Sequence, residues 1–546
     1  GNGNFDAMRG FGVWKSTNGG STWNQLSSTI SSSFNYCQRV FAIGNGDTVF
    51  VAAQTGLYRS INGGIAFTKV LGTGISSAIG NEAEDIERMP NGVLYATMSG
   101  SASTSGTIHK SYNNGATWTT PLSLGTLTGR EIEIAVSNND TNVIWGIVEQ
   151  SSQIRAVIRS TNAGISFDTT TTYPDDADGG IPATDFSRGQ AWYDLSIAVD
   201  PNNSNVCFVG GVDLFKTTNG GGSWQQVSHW YGGFGFQEVH ADQHIAIFEP
   251  GNSNVIYFGN DGGIYRSSNA TATIPTITVK ESNYNTAQFY ACDIHPTAGS
   301  NFFLAGAQDN GSHRFNASGI NSTTEVTGGD GAFCHIDQNE PSYQFTSYVY
   351  NSYYRSTNGG TSFSGSGLTF GSSTGRFINP TDYDDSLNMM YAAYGSGTFM
   401  RWSNPQSGNT NTVVTVTALN SVMVSGVKVS PNVVGRIYLG TSGGRVVMVD
   451  AANTASGTVA GTQINVGAGM STGGYVNCIE VERGNENHII VVMTNYGIAN
   501  VWETRNGGTT WVSVDGNLPD MPIRWALMSP NRPHQVLIAT ELGVWS

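Results

Sequence analysis

The sequence predicts an all-β protein made of tandem β-propellers with four-stranded blades. Three observations predict it: an octapeptide written seven times, a strand-rich unit repeated around most copies, and apolar residues that alternate with period two, as in "RIYLG" and "EIEIAV". The 70 glycines among 546 residues disfavour helix interiors and show no collagen-like period.

The octapeptide comes first. Its copies are "STNGGSTW" (16–23), "SINGGIAF" (60–67), "SYNNGATW" (111–118), "STNAGISF" (160–167), "TTNGGGSW" (217–224), "STNGGTSF" (356–363) and "TRNGGTTW" (504–511). The third residue is Asn throughout: Asn18, Asn62, Asn113, Asn162, Asn219, Asn358 and Asn506. A short amide there accepts hydrogen bonds from nearby turn N–H groups. The glycines that follow take positive φ without a Cβ penalty. The eighth residue is Trp or Phe, a ring expected to plug the gap beside the next sheet.

Before the octapeptide lies a short strand ("GVWKS", "GLYRS", "AVIRS", "DLFKT", "SYYRS"), and before that a β-rich run ("TVFVAAQ", "VIWGIVE", "VCFVGG"). A further strand ends in a Pro/Asn turn ("LSIAVDPNNSN", "HIAIFEPGNSN"). Four strands in roughly 40–50 residues match a propeller blade.

These residues resemble the Asp-box, or BNR, repeat S-x-D-x-G-x-x-W, with Asn in place of Asp. The resemblance covers most of the chain. It implies a structural turn at a propeller rim, away from the ligand face, as in sialidases, sortilin-type receptors, family-74 xyloglucanases and secreted BNR-type proteins of the Bacteroidetes, many of them exported by the type IX route. The seven Asn residues are therefore read as architecture.

Besides the seven units with the octapeptide, plainer units lie at about 238–283, 288–326, 375–418, 420–466 and 523–546, giving about twelve in all, incomplete at both ends. One ring usually holds four to eight blades. Two propellers follow, 1–280 and 281–546, with the boundary near 275–287. The alternative is one ring of about ten blades, as in sortilin-type domains.

Charged residues are 12%, aromatics 11% and the net charge −15, with no basic run. Nucleic acid is excluded as a partner, and no apolar run reaches the roughly 18 residues of a membrane span. A surface of Ser, Thr, Asn and Gln suits an extracellular or cell-surface β protein. Both chain ends read as cut from a longer precursor. Five cysteines lack any CxxC, so no metal–cysteine site is indicated; Cys207 and Cys292, in apolar runs, read as buried thiols.

The middle of the chain departs from the repeat. His240, Asp242 and His244 alternate, so a strand would place them on one face, able to hold a divalent metal. The preferred reading is a hydrogen-bonded network that needs no cofactor. Asp261, Asp309 and Asp330 each sit in a Gly-flanked turn. "NDGGIYR" resembles a family-74 strand-turn whose Asp is one of two catalytic carboxylates, which makes Asp261 a candidate, with Asp309 and Asp330 as possible partners. That motif opens the first blade of the family, whereas here it lies in the sixth unit. Two inserts, "SRGQAWYDL" (187–195) and "SHWYGGFGF" (228–236), offer Trp192, Tyr193, Trp230 and Tyr231, with His240 and Asp242, as ligand-binding residues. Such rings stack on sugars if exposed and pack an interface if buried.

Arg is too sparse for a sialidase triad, and neither a G-x-S-x-G elbow nor a phosphate loop occurs. The expected function is a secreted or surface propeller that binds a polysaccharide or a surface protein. The alternatives are a family-74-like endo-acting hydrolase of β-glucan or xyloglucan, and a structural surface or filament protein. Whether the chain is an enzyme, and its oligomeric state, stay open at this level.

Overall fold

The computed structural model describes residues 8–72, 82–100, 104–281, 286–319, 321–467, 470, 473–532 and 534–546. The chain forms two compact units, Arg9–Tyr284 and Asn285–Ser546. The expected boundary region, 275–287, lies partly outside the described residues. Among those residues the only helical pieces are three short 3-10 turns.

Each unit is a run of six sheets, twelve in all among the described residues. In the first unit, Trp14–Lys15 pairs with Asn24–Gln25, and sheets follow over 37–71, 83–111, 132–169, 196–226 and 243–279. In the second unit the sheets cover 291–327, 334–356, 381–416, 424–463, 476–513 and 523–545. Neighbouring strands are antiparallel. The exception is Gly457–Val459, which leaves the connection within the fourth sheet of the second unit and pairs in parallel with Val414–Val416 of the third.

The innermost strand of each sheet packs against that of the next: Cys37–Ile43 on Ala83–Arg88, Ile132–Val136 on Ser196–Val199, Val424–Val429 on Val476–Val481. This is the radial order of a propeller. The cores lie between consecutive sheets, whose facing surfaces are apolar: Trp145 and Phe215 share one cluster, Phe208 and Phe258 another. An unforeseen device ties the inner strands together. The second oxygen of Asp85 accepts the Ile134 N–H at 3.2 Å, Asp293 accepts that of Ile336 at 2.7 Å, and Asp382 that of Val429 at 2.7 Å. Each carboxylate satisfies an N–H at the inner edge of the next sheet, which would otherwise be orphaned. In the second unit the chain leading into the first sheet meets the last hairpin, with Gln288 donating to Glu541 at 2.8 Å.

All seven octapeptides adopt one turn. In the copy at 60–67, Ser60 Oγ donates to Asn62 Oδ1 (2.8 Å) and accepts from Gly64 N (2.9 Å), while Asn62 Oδ1 accepts from Ala66 N (3.0 Å). The same bonds recur from Ser16 and Asn18 through to Thr504 and Asn506. The fourth and fifth residues both take positive φ, which explains the glycines. The eighth-position rings pack as expected in six copies, from half-buried Phe67 to buried Trp511. Trp23 departs from this: it is 59% exposed, because it flanks a sheet of only two strands. Cys292 also departs. Its strand, Ala291–Ile294, is not buried on either face, so the thiol is exposed, whereas Cys207 is buried as expected.

Candidate functional site

The first unit carries two inserts that the blade repeat does not require. One fills the interval from Thr169 to Ser196, the other that from Gln226 to Gln243. The first insert is anchored by Asp185, which accepts from Ser187 Oγ (2.5 Å), Gly189 N (2.8 Å) and Ile154 N (3.1 Å), and by buried Phe186 packed on Phe215. So anchored, it presents Trp192 and Tyr193 to solvent, 48% and 42% exposed, with ring centroids 5.6 Å apart.

Beneath Tyr193 lies a polar constellation from three segments. The Tyr193 hydroxyl donates to Asp261, at 3.0 and 2.9 Å from its two oxygens. His244 Nε2 is 2.6 Å from Asp261 Oδ1, and His244 Nδ1 is 3.1 Å from the Tyr193 carbonyl oxygen. The Tyr193 and His244 rings meet edge to face at 4.7 Å. Burial works against a charge on His244, but the hydrogen bond and negative charge of Asp261 outweigh it and raise its pKa above 6.5. Gln190 bridges two further carboxylates, donating to Asp242 (2.6 Å) and to Asp194 (3.2 Å). Burial, with the neighbouring Asp242 charge, pushes the fully buried Asp194 well above the ordinary carboxylate range.

The expectation of a shared strand face for His240, Asp242 and His244 does not describe this geometry. The strand begins at Gln243, and Asp242 takes φ +64°, which breaks the alternation. His244 turns to Asp261 and Tyr193, Asp242 to Gln190, and His240 Nδ1 to the Ala241 carbonyl at 3.3 Å. The His240 ring occupies the space where any side chain at Gly262 would begin, 2.4 Å from a Cβ built there. The expected carboxylate Asp261 belongs to the first unit, and a carboxylate oxygen of Asp242 lies within 4.8 Å of one of its own. Asp309 and Asp330 belong to the second unit, where the Asp309 N–H donates to Asp330 Oδ1 at 3.2 Å.

In the second insert Tyr231 is 52% exposed and its hydroxyl donates to Asp178 at 3.0 Å. Trp230 is half-buried against it, with ring centroids 4.7 Å apart. Gln190 and Asp194 escape sequence reasoning, since polar residues in an insert carry no spacing signal.

No family model matches the chain, and no curated protein matches it in sequence. Among the solved structures to which it is similar is the GH74 xyloglucanase of Xanthomonas campestris, with TM-score 0.53 and 15% identity over 95% of this chain and 83% of that one. Another is the GH74 enzyme of Niastella koreensis, with TM-score 0.35 and 17% identity over 98% and 78%. A third is PorZ, a surface component of the type-IX secretion system of Porphyromonas gingivalis, with TM-score 0.46 and 12% identity over 96% and 76%. The first likeness supports the fold the sheets show, that of a β-propeller protein.

Proposed function

We propose that this chain is a secreted or cell-surface propeller protein that binds carbohydrate through the inserts of its first unit. The observation that carries the reading is the exposed Trp192–Tyr193 pair held above the Asp261–His244 pair. Flat apolar faces beside fixed polar groups suit a sugar ring, which is apolar on its faces and hydroxylated at its edge. Anchoring by Asp185 and Phe186 holds the platform in place before a ligand arrives, which reduces the ordering cost of binding. The octapeptide turns, kin in pattern to the Asp-box, serve the architecture and not the ligand. Affinity electrophoresis in gels containing xyloglucan, other β-glucans or unrelated polysaccharides tests the reading. Retardation by one polysaccharide, lost in Trp192→Ala, is expected. No retardation by any of them, together with capture of a surface protein, would replace it with a protein-binding role.

Hydrolysis of β-glucan is the second reading, favoured by the proximity of Asp242 and Asp261. With oxygens within 4.8 Å, this pair is closer than the roughly 6.5–9.5 Å of inverting enzymes and nearer the about 5–5.5 Å of retaining ones. Asp261 is also engaged as a hydrogen-bond acceptor at both oxygens, an arrangement suited to orienting a ligand more than to donating a proton. New reducing ends from xyloglucan, lost in Asp261→Asn, would promote this reading to first place.

A further inference from the structure

A second constellation lies in the first unit, in the same two inserts but apart from the aromatic platform. Asp176 comes from the first insert, Asp213 from the turn between strands Cys207–Gly210 and Leu214–Thr217, and His229 from the second insert. All three are buried, Asp213 and His229 completely. One ligand atom from each lies within 4.8 Å of the others.

We propose that Asp176, Asp213 and His229 form a binding site for one divalent transition-metal ion. The hydrogen-bond inventory carries it. Neither carboxylate oxygen of Asp213 and neither ring nitrogen of His229 is satisfied by a well-formed hydrogen bond, although all four atoms are shielded from solvent; the Trp230 N–H and the Asp176 carboxylate approach Asp213 without reaching that geometry. Buried polar atoms left in this way are costly and are rare in groups. Asp176 is partly engaged: its second oxygen accepts from Gln226 Nε2 (3.0 Å) and its first from the Asp178 N–H (2.8 Å). Its first oxygen also stands 3.9 Å from His229 Nε2.

A proton shared between Asp176 and Asp213 would satisfy one carboxylate contact and leave the imidazole without a partner. A cation serves all three groups at once, and its two positive charges balance two buried carboxylates. Ligands about 2.0–2.2 Å from a tetrahedral ion stand roughly 3.3–3.6 Å from one another, so the three atoms, now within 4.8 Å, would draw together around it. Asp178, whose Oδ2 is 4.0 Å from His229 Nε2, supplies a further oxygen at the solvent edge. The imidazole selects the class of ion. Ca²⁺ and Mg²⁺ take oxygen ligands, whereas a mixed set of carboxylates and one imidazole suits Zn²⁺ or Mn²⁺.

The site joins the two inserts to the fifth sheet. His229 is itself fixed by its N–H to Gln237 O (2.9 Å), and its ring meets exposed Tyr231 edge to face at 4.2 Å. The inference is independent of the carbohydrate reading, since the site would brace the inserts whatever they bind.

The test uses the full chain, stripped with EDTA and then titrated calorimetrically with Zn²⁺, Mn²⁺ and Ca²⁺, with melting followed in parallel. One equivalent of Zn²⁺ or Mn²⁺, a Tm raised by several degrees, and loss of both in Asp213→Asn and His229→Ala are expected, with Ca²⁺ at least tenfold weaker. Asp178→Asn should weaken binding without abolishing it. Absence of stoichiometric binding by the folded wild type overturns the site, as does binding that persists in both ligand variants. If either variant fails to fold, Mn²⁺ broadening of the His229 ring signals in the wild type decides: broadening at one equivalent supports the site, and sharp signals reject it.

Discussion

His244 lies between two acceptors: Asp261 Oδ1 is 2.6 Å from its Nε2 and the Tyr193 carbonyl oxygen 3.1 Å from its Nδ1. A neutral imidazole donates from one nitrogen only, so the imidazolium form satisfies both contacts. The raised pKa of His244 has the same origin. A base whose pKa is higher in the folded state adds stability that is complete below its unfolded value. That stability is lost as pH rises through the folded value. Protection of the 187–195 insert, read by hydrogen exchange, should therefore weaken as pH climbs above 6.5, and His244→Gln should flatten the profile.

His335 titrates in the opposite sense. Its ring is held at 2.8 Å from Thr381 Oγ1, and burial pushes its pKa down to about 4. The folded state therefore refuses a proton that the unfolded chain accepts near 6.5, so stability falls as pH drops from about 6.5 to about 4. The loss amounts to roughly 3 kcal/mol at about 1.4 kcal/mol per pKa unit. Urea melts at pH 7.5 and 4.5 should show it, and His335→Gln should remove most of the difference.

The octapeptide turn needs the Asn oxygen more than the Asn nitrogen. In the copy at 60–67 the oxygen accepts from Ser60 Oγ and Ala66 N. Asn62→Asp should be near neutral, and Asn62→Ala should cost about 1–2 kcal/mol, the scale of acceptors lost from part-buried donors. Denaturant midpoints for the two variants check this.

Ala163 occupies the fourth position of its octapeptide with φ +56°, where five of the seven copies carry Gly. A left-handed L-residue costs roughly 1–2 kcal/mol, partly offset because Gly loses about 0.4–1 kcal/mol more on folding. Ala163→Gly should stabilise the fold by about 0.5–1 kcal/mol. Gly164→Ala should destabilise it, because φ is +82° and a Cβ there would meet Leu122 at 2.9 Å. Melting of both variants provides the check.

The blades were legible because their signals are local. Asn62 and its glycines sit in one turn, and a period-two strand such as Ile132–Val136 is likewise a single short run of residues. The candidate sites were only partly legible. Asp261 and Tyr193 were singled out separately, but their contact spans two segments that no spacing rule connects. His240, Asp242 and His244 misled because alternation assumes continuous strand, and the positive φ of Asp242 interrupts it. Asp176, Asp213 and His229 gave no signal, since each comes from a different loop. Cys292 was expected to be buried because its run is apolar, yet sheet position decides exposure there.

The measurement closest to the central claim is calorimetric titration of the wild type and Trp192→Ala with whichever polysaccharide retards the protein in a gel. The account predicts saturable binding by the wild type and at least a tenfold loss in the variant, with Tm unchanged because the ring is 48% exposed. Equal affinity in both proteins would contradict it and move recognition away from the insert.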